Sequence, residues 1–267
     1  MQPMLNMALR AGRQASQIIL RSMDRIDLLH IEEKQKNDLV SEIDRQAEAA
    51  IIEVLHTAYP DHGILAEESG QAYESNEYTW IIDPLDGTMN FLHGIPHFSV
   101  SIALMHRGRL EQAVIIDPVR NEEFTASRGA GAQLNGRRIR VSKQQTLDRA
   151  ILATGIPYRS VAQHLDAYSA MHKEFTRTCR AIRRQGSAAL DLAYVAAGRI
   201  EGYWQVGLKP WDMAAGALLV KEAGGMTSDF VGGENYLESG NVVSANPRCF
   251  KAILQSIRPH LTPALRK

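Results

Sequence analysis

The sequence has few cysteines and no excess of charge of either sign. Its 267 residues include only two cysteines, Cys179 and Cys249, and their spacing is not that of a metal-binding motif. Thirty Lys and Arg residues balance thirty Asp and Glu residues, so no net field favours a nucleic acid or a membrane surface. Sparse, unpaired cysteines are typical of proteins in a reducing compartment. We therefore expect reduced thiols and a cytoplasmic protein.

Long apolar runs are also missing. No run approaches the roughly 18 residues of a membrane-spanning helix, so we expect no membrane contact. Residues 1–23 contain three arginines and no acid, which faintly resembles a mitochondrial transit peptide. Their apolar residues keep helical spacing, however, and this predicts an integral first helix. The chain is long enough for one large domain or two closely packed lobes.

The first half of the chain predicts helices followed by an antiparallel meander. A second helix is indicated between residues 40 and 55, where residues 41–44 match a capping box. Residues 71–77 are polar and predict a loop. Asn135-Gly136 is a strong signal for a two-residue hairpin. Short apolar or alternating runs predict strands at 26–32, 64–66, 80–82, 98–105, 110–116 and 123–126.

The pattern changes near residue 145, after which strands and helices alternate. Alternation of this kind is typical of an α/β layered lobe. We therefore predict two lobes, residues 1–145 and 146–267, with a cleft between them. The predicted strands lie at 150–154, 180–183, 200–205, 226–229 and 242–245, and the predicted helices at 164–175, 188–197, 212–223 and from 247 onward.

Residues 80–91 carry the strongest local signal for chemistry. Three apolar residues, 80–82, indicate the end of a buried strand, and Pro84 then breaks the chain between Asp83 and Asp86. Gly87 permits a backbone turn that bulkier residues resist. The two carboxylates can therefore face one point beyond the strand, where they repel each other unless a cation lies between them.

Three further acids stand at junctions between predicted elements. Glu67 follows an apolar strand, Asp212 precedes an apolar helix, and Asp44 lies in the first turn of its helix. Each has a simpler explanation when taken alone. Asp212 is a natural N-cap, Asp44 a capping-box acid and Glu67 part of a solvated loop, while the aspartates at 83 and 86 are common turn formers. Five acids at such junctions are harder to explain separately.

Electrostatics decides what these acids need if they converge. Like charges about 4 Å apart repel by about 4 kcal/mol per pair at an effective dielectric constant of about 20. Several such pairs would consume most of a total stability of about 5–15 kcal/mol, so cations must compensate. Oxygen ligands indicate Mg²⁺ before Ca²⁺. No His-x-His or Cys-x-x-Cys spacing favours zinc.

Two glycine-containing junctions add capacity to bind anions. Gly87-Thr88 could open a helical turn, and residues 185–188 join a strand to a helix. Free N–H groups at helix starts favour phosphate. An ordinary helix start is the simpler explanation for Gly186-Ser187.

Four segments resemble the motifs of the inositol monophosphatase family. Residues 83–88 (Asp-Pro-Leu-Asp-Gly-Thr) and 211–216 (Trp-Asp-Met-Ala-Ala-Gly) match its paired signature, which is highly specific. Residues 66–69 and 38–44 resemble its other two motifs in the expected order. The resemblance covers essentially the whole chain, and residues 183–187 are most similar to the bacterial SuhB-type branch. It implies the sugar-phosphatase fold, an α+β or α/β sandwich of alternating α-β-α-β-α layers.

The resemblance implies two to three Mg²⁺ ions. A first ion would bind to Glu67, Asp83 and the backbone carbonyl of Leu85. A second would bind to Asp83, Asp86 and Asp212, and Glu67 would also reach a more loosely held third ion. Paired ions make water more acidic and stabilise the entering and leaving oxygens of phosphoryl transfer.

The resemblance also assigns roles to the residues around the ions. Thr88, hydrogen-bonded to Asp44, would act with Glu67 to orient and deprotonate the attacking water. The backbone N–H groups of Gly87 and Thr88 would bind the phosphate. Substrate contacts are implied for Asp86, Gly87, Thr88, Gly186, Ala188, Gln205 and Asp212, with Gly186 and Ala188 on the alcohol side.

One position departs from the family pattern. Seven residues before Asp212, members that act on inositol usually carry a glutamate that contacts a sugar hydroxyl, and this chain has Gln205. The amide still forms hydrogen bonds, but it lacks the charge and adds a donor. The change therefore bears on the choice of alcohol rather than on the metal chemistry.

The function implied by the resemblance is Mg²⁺-dependent hydrolysis of inositol monophosphate and related small phosphate monoesters, inhibited by Li⁺, in a homodimer. Two alternatives in the same superfamily are hydrolysis of fructose 1,6-bisphosphate and of 3′-phosphoadenosine phosphate. The chain is short for the first and has no obvious adenine-binding insertion for the second.

A role outside catalysis is also implied. SuhB-type members are associated with transcription antitermination complexes, which suggests RNA polymerase components as partners. Arg177, Arg180, Arg183 and Arg184 form a local basic patch that could meet RNA or a protein. A solvated or dimer-facing patch is the simpler explanation, given the zero net charge.

Overall fold

The protein was analysed as a computed structural model, which describes residues 3–24, 31–35, 38–73, 77–157 and 161–266. The helices of these residues are α1 Pro3–Ser22, α2 Glu42–Ala58, α3 Thr88–Leu92, α4 Val161–Thr178, α5 Ala188–Ala196, α6 Pro210–Glu222, α7 Tyr236–Ser239 and α8 Pro247–Ile257. The strands are β1 Ile31–Gln35, β2 Asp38–Ser41, β3 Gly63–Ala66, β4 Gly70–Tyr73, β5 Tyr78–Asp86, β6 Ser99–His106, β7 Arg109–Asp117, β8 Glu122–Ser127, β9 Gly131–Leu134, β10 Arg137–Arg138, β11 Ile151–Thr154, β12 Ala181–Arg183, β13 Gly202–Gln205, β14 Met226–Ser228 and β15 Val242–Ala245.

The larger sheet has eight strands in the order β10-β9-β8-β7-β6-β5-β3-β4. Its pairs are antiparallel except β3 with β5, which are parallel. Successive residues of β5 face opposite sides, as a strand requires. Trp80 and Ile82 pack with α1 and α2, whereas Ile81 packs with α5 and α6. The sheet is therefore buried on both faces.

The smaller sheet has five strands in the order β12-β11-β13-β15-β14. β11 runs parallel to β12 and β13, and β15 runs antiparallel to β13 and β14. Trp204 of β13 packs with α4 and α8, whereas Tyr203 packs with α5 and α6 on the opposite face. Helices α5 and α6 are thus the layer shared by the two sheets. The resulting α-β-α-β-α order confirms the predicted layered sandwich.

The strands of the larger sheet come from residues 63–138 and those of the smaller sheet from residues 151–245. The division into lobes at residue 145 stays a prediction. The hairpin prediction at Asn135-Gly136 is confirmed, because both residues have positive φ values, 48° and 75°, and join β9 to β10. Among the described residues, no helix is both long and apolar enough to cross a bilayer. Cys179 and Cys249 are both free.

Three expectations about local structure were wrong. Residues 70–73 form β4, where a polar loop was predicted, because pairing with β3 at the sheet edge uses backbone groups and needs no apolar pattern. Strand β5 continues through Pro84 to Asp86 instead of ending before it. The second helix begins at Glu42, and residues 38–41 pair with β1 as a strand. Most of the strand predicted at 26–32 lies outside the described residues.

Candidate active site

Asp83 and Asp86 stand at the end of β5, where its pairing with β6 is irregular. Asp83 is opposite Ser101 and Asp86 is opposite Ser99, so three steps on β5 match two on β6. In a regular strand, residues three apart point to opposite faces. The extra residue of this bulge brings both carboxylates to the same cavity. Strand β5 does not end at Pro84. The irregular pairing accommodates a proline directly after Asp83.

Glu67 lies beside Asp83 because β3 and β5 are parallel neighbours. Ala66 pairs with Ile82, and the N–H of Glu67 donates to the carbonyl of Ile82 at 3.1 Å. The side chains of Glu67 and Asp83 interact through a hydrogen bond. The turn after Glu67 is held by Glu48 of α2, whose carboxylate is buried.

Asp212 lies in the first turn of α6, two residues after the proline that starts the helix. Its Oδ2 accepts a hydrogen bond from the N–H of Lys209 at 2.7 Å. Lys209 is the N-cap residue, and Asp212 is the third helical residue, so the interpretation of Asp212 as the N-cap was wrong. The contact is the carboxylate half of a capping box. It fixes the aspartate at the mouth of the cavity.

Asp86 is bound by the first turn of α5. Ser187 Oγ donates to Asp86 Oδ2 at 2.5 Å, and the N–H groups of Ala188 and Ala189 donate to the same carboxylate at 3.3 and 2.8 Å. The free N–H groups at this helix start, which we predicted could bind phosphate, are thus used by an internal carboxylate. Helix N-termini stabilise negative charge of either origin.

Asp83 and Asp86, two of the carboxyl groups at the cavity, have raised pKa values. Burial is the main cause of the rise at Asp83, and repulsion by Glu67, Asp86 and Asp212 adds to it. Burial also raises the pKa of Asp86 to about 7, although the hydrogen bond from Ser187 opposes the rise. Raised pKa values mean that negative charge is costly at this place. A bound cation would remove that cost.

The donor set fits a hard divalent cation in chemistry. It consists of carboxylate oxygens and the carbonyl of Leu85, which are the ligands that Mg²⁺ prefers. Within the described residues, however, no group of three or more acidic, His or Cys side chains is already arranged to hold a metal ion. Asp86 and Asp212 each give an oxygen to N–H or hydroxyl donors of the protein. The fit therefore lies in charge and atom type, and not in a preformed geometry of the described residues.

Thr88 connects the cavity to Asp44. Its Oγ1 donates to Asp44 Oδ1 at 2.8 Å and lies 3.0 Å from the carbonyl oxygen of Leu85. Asp44 is buried in α2. Gly87, immediately before Thr88, has a φ of 103°. A Cβ atom there would come within 3.2 Å of the carbonyl oxygens of His97 and Gly186, so only glycine lets these backbones approach.

The cavity has a volume of about 560 Å³ and lies between the ends of the two sheets. Such a volume is typical of sites for small molecules. Asp44 is reached through Thr88 and is not part of the wall. The remaining predicted site residues line the cavity: Glu67, Asp83, Leu85, Asp86, Gly87, Thr88, Gly186, Ala188, Gln205 and Asp212. Their catalytic, metal-binding and substrate-binding roles stay predictions.

Sequence reasoning missed three residues that shape the cavity. Asn90 of α3 donates to the carbonyl of His97 at 2.7 Å and to that of Gln185, 95 positions away in the sequence, at 2.8 Å. Asp191 is fully buried in the wall and accepts a hydrogen bond from Gln185 Nε2 at 2.9 Å. Tyr203 hydrogen-bonds to Gln205. Of these three residues, only Asn90 lies within residues 80–91, the segment with the strongest local signal in the sequence.

Comparisons with known proteins show the family to which the chain belongs. The sequence matches the model of the inositol monophosphatase family over residues 1–262. A Pseudomonas aeruginosa relative named Nus factor SuhB is 55% identical over 271 residues, with 100% of both chains covered. The structure of the extragenic suppressor protein suhB from Bartonella henselae is 39% identical, with a TM-score of 0.93, and the match covers 97% of this chain and 100% of that chain.

An inositol monophosphatase from an Anabaena (Nostoc) species is 35% identical, with a TM-score of 0.85, and the match covers 96% of this chain and 95% of that chain. Sequence and fold therefore agree over nearly the whole length. The family resemblance found in the four motifs is confirmed, and the chain belongs to the inositol monophosphatase family.

Proposed function

We propose that the protein is a Mg²⁺-dependent phosphatase that hydrolyses inositol monophosphate and related small phosphate monoesters. Family membership supports a phosphatase, and one observation carries the finer proposal. Four acids from three separate parts of the chain, Glu67, the aspartates of β5, and Asp212, face a single cavity beside the Thr88–Asp44 pair. The raised pKa values of Asp83 and Asp86 mark a place built to receive positive charge.

The metal ions would be held by Glu67, Asp83, Asp86 and Asp212 with the carbonyl of Leu85. Bound Mg²⁺ supplies positive charge that makes water more acidic and offsets the charge of the phosphoryl oxygens. The protein's part is to hold the acids in place. Asp86 is fixed by α5 and Asp212 by the start of α6, so both positions depend on the layer shared by the sheets.

Thr88 orients the attacking water in this proposal. Its hydroxyl hydrogen is directed to Asp44, which leaves the oxygen lone pairs free to accept a hydrogen bond from a water in the cavity. Glu67, on the neighbouring strand end, receives the proton. Asp44 acts only through Thr88, because it does not line the cavity.

The test is phosphate release from inositol 1-phosphate. We expect Mg²⁺-dependent release by the wild type, loss on chelation, and inhibition by Li⁺. Asp83→Asn should lower kcat/KM by about 100-fold or more, since it removes a ligand charge. Asp148→Asn is the matched control, because Asp148 is 71% exposed and lies outside the cavity. Equal rates for wild type and Asp83→Asn, or no release with Mg²⁺, would refute the proposal.

A substrate panel separates the alternatives within the superfamily. Fructose 1,6-bisphosphate and 3′-phosphoadenosine phosphate should be compared with inositol 1-phosphate and glycerol 2-phosphate under the same conditions. A kcat/KM at least about tenfold higher for either bisphosphate would move the physiological substrate away from inositol phosphate.

We also propose a second role, as a partner of the transcription antitermination machinery in the cytoplasm. The 55% identical relative is named a Nus factor, and this supports the idea. Arg177, Arg180, Arg183 and Arg184 are all exposed. No ion pair from them to another described residue is seen. They therefore offer exposed positive charge at the end of α4 and around β12 that no described acid neutralises.

The second role is tested by pull-down with purified RNA polymerase and Nus components. Association should survive Asp83→Asn, and it should be lost in the double variant Arg177→Glu/Arg180→Glu. Lys251→Glu, an exposed reversal on α8, is the matched control. Absence of any association in the wild type would remove the proposal. Sedimentation of the same samples tests whether the protein is a homodimer and whether the reversals dissociate it.

A further inference from the structure

Three residues lie at the carboxyl ends of the parallel strands of the smaller sheet. Two of them can form hydrogen bonds, and the third is a glycine that leaves space for a neighbouring side chain. β12, β11 and β13 run parallel, with Ala153 opposite both Arg183 and Tyr203. Their carboxyl ends therefore coincide, and this brings Arg184, Gly155 and Gln205 to the same wall of the cavity. We call these three residues the Gln205 wall. It lies on the smaller sheet, whereas Glu67 and Asp83 lie on the larger one.

The orientation of the Gln205 amide follows from its neighbour on the strand. Tyr203 and Gln205 are two apart on β13, so their side chains share a face. Tyr203 is fully buried, and its hydroxyl donates to Gln205 Oε1. Among the described residues this is the hydroxyl's single hydrogen bond, whereas nearby acids such as Asp191 act on it only through their charge. With the amide reversed, the buried O–H would lose its acceptor, which costs about 1–3 kcal/mol.

Gly155 leaves the space that this amide occupies. A Cβ atom at position 155 would overlap the Oε1 and Cδ atoms of Gln205. The φ angle of Gly155 is not in the left-handed region, so the glycine is required by space and not by conformation. Gln205 is thus fixed from two sides, by a hydrogen bond and by close packing.

The fixed orientation of the Gln205 amide determines whether the Gln205 wall presents hydrogen-bond donors or acceptors to a ligand. With Oε1 occupied by Tyr203, the NH₂ group is the part of the amide left for the cavity, and no described residue accepts from it. Arg184 lines the same wall as an exposed cation without an ion pair to a described acid. Both groups are donors. A glutamate in place of Gln205 would instead present an acceptor.

We propose that Tyr203 holds the Gln205 amide with its NH₂ group toward the cavity, so that the Gln205 wall selects phosphate monoesters whose alcohol carries a second hydrogen-bond acceptor, such as a carboxylate. Tyr203 is a positioning residue here, and Gln205 touches the substrate. The inference rests on the proposed phosphatase function and names the substrate class of the same site. A hydroxyl-only alcohol can still accept a hydrogen bond, so inositol phosphate remains a substrate.

Matched substrate pairs test the proposal. Glucuronic acid 1-phosphate differs from glucose 1-phosphate by a carboxylate in place of a hydroxymethyl group, and 3-phosphoglycerate differs from glycerol 3-phosphate in the same way. The measured quantity is the ratio of kcat/KM for the acid to that for the alcohol. For at least one pair, we expect a ratio above one in the wild type. Gln205→Glu should lower that ratio by about 10- to 100-fold, because a carboxylate faces a carboxylate.

Tyr203→Phe separates positioning from folding. It keeps the ring in the core but frees the amide to rotate, so the same ratio should fall by about 3- to 10-fold, mainly through KM of the acid. In the Gln205→Glu background, Tyr203→Phe should change the ratio by less than about twofold, since both act through one contact. A merely structural role would lower kcat for every ester in both backgrounds. Gln145→Glu and Tyr236→Phe, both outside the cavity, are the matched controls.

The outcomes distinguish this inference from the function on which it rests. Hydrolysis of inositol 1-phosphate with an unchanged acid-to-alcohol ratio in Gln205→Glu would overturn the inference alone. A ratio below one in the wild type for both pairs would do the same. No hydrolysis of any ester with Mg²⁺ would overturn both proposals. A lowered ratio in Gln205→Glu and in Tyr203→Phe, with both controls unchanged, supports the inference.

Discussion

The hydroxyl of Ser187 lies 2.5 Å from Oδ2 of Asp86 and joins residues that are 101 positions apart. Ser187 is the N-cap of α5, and Asp86 lies at the end of β5 in the larger sheet. Two backbone N–H groups of the same helix turn also donate to this carboxylate. The start of α5 therefore acts as a fixed positive partner for an acid that faces the cavity.

Ser187→Ala should destabilise the protein by about 1.5–3 kcal/mol. The substitution removes a hydrogen bond to a buried carboxylate and also the N-cap oxygen, which accepts from the N–H of Leu190. Urea unfolding monitored by circular dichroism gives the free energy of unfolding. Ser169→Ala, at an exposed position in α4, is the control and should change it by less than about 0.5 kcal/mol. An equally small effect of Ser187→Ala would show that the contact contributes nothing.

Strand β4 and the partner of Asp86 are two features that could not be predicted from the sequence, for different reasons. The positions of the buried helices and strands could be predicted from the spacing of their apolar residues. Elements such as α6 and β5 carry many apolar residues because they pack against neighbours on both sides. Strand β4 could not be predicted in this way. An edge strand is held by backbone pairing, so its side chains need no apolar pattern. From the sequence, the start of α5 had two explanations, a capacity to bind anions and the simpler one of an ordinary helix start. Whether the anion is a ligand or an internal carboxylate depends on a contact across 101 residues, which no local pattern encodes.

Glu48 is a second residue whose role no local pattern shows. In the sequence it is one polar position of α2. In the fold its two oxygens accept hydrogen bonds from the N–H groups of Glu68 and Ser69, at 2.8 and 2.9 Å. These two residues form the turn directly after Glu67. Glu48 therefore fixes the turn that places a predicted metal ligand.

Glu48→Gln should lower the proposed phosphatase activity by about 10- to 100-fold while the protein stays folded. The amide keeps one acceptor, but its NH₂ group faces a backbone N–H, so the turn is released. Hydrogen–deuterium exchange should show faster exchange at residues 67–69. Glu53→Gln, on the exposed side of the same helix, should leave activity and exchange unchanged. Unchanged exchange in Glu48→Gln would contradict the positioning role.

His62 makes stability depend on pH. Its ring stacks between Tyr59 and Tyr78, with centroids 4.7 Å away on each side. Burial lowers the pKa of His62, and the charges of Asp61 and Glu77 oppose the shift only in part. The folded state thus binds its proton more weakly than the unfolded state. Stability is complete above the unfolded pKa of about 6.5 and is lost as pH falls below it.

His62→Phe should make the free energy of unfolding less dependent on pH between about pH 7 and pH 5. Phenylalanine keeps the stacking and cannot take up a proton. The measurement is urea unfolding of both proteins at several pH values in this range. His93→Phe, at an exposed position, should retain the wild-type dependence. Parallel curves for wild type and His62→Phe would assign the acid sensitivity to other groups.

Gly216 sets the distance between α5 and α6. A Cβ atom at this position would overlap the Cβ and Cδ1 atoms of Leu192, which is fully buried in α5. A Cβ atom cannot rotate away as the end of a long side chain can. Gly216→Ala should therefore force the helices apart and destabilise the protein by about 1–3 kcal/mol, despite the better helix propensity of alanine. Because α5 binds Asp86 and α6 carries Asp212, the shift should also lower activity.

The double variant Gly216→Ala/Leu192→Ala tests whether this contact is the cause. Leu192→Ala alone should cost about 2–5 kcal/mol through the cavity that it leaves. If the added methyl group fills part of that space, the double variant should be more stable than the sum of the single effects predicts, by at least about 0.5 kcal/mol. Urea unfolding of all four proteins gives this coupling. Leu192→Ala removes the overlapped Cδ1 atom but keeps Cβ, so additive effects would mean that the strain of Gly216→Ala comes from the Cβ–Cβ overlap or from elsewhere in α6, and not from the Cδ1 contact.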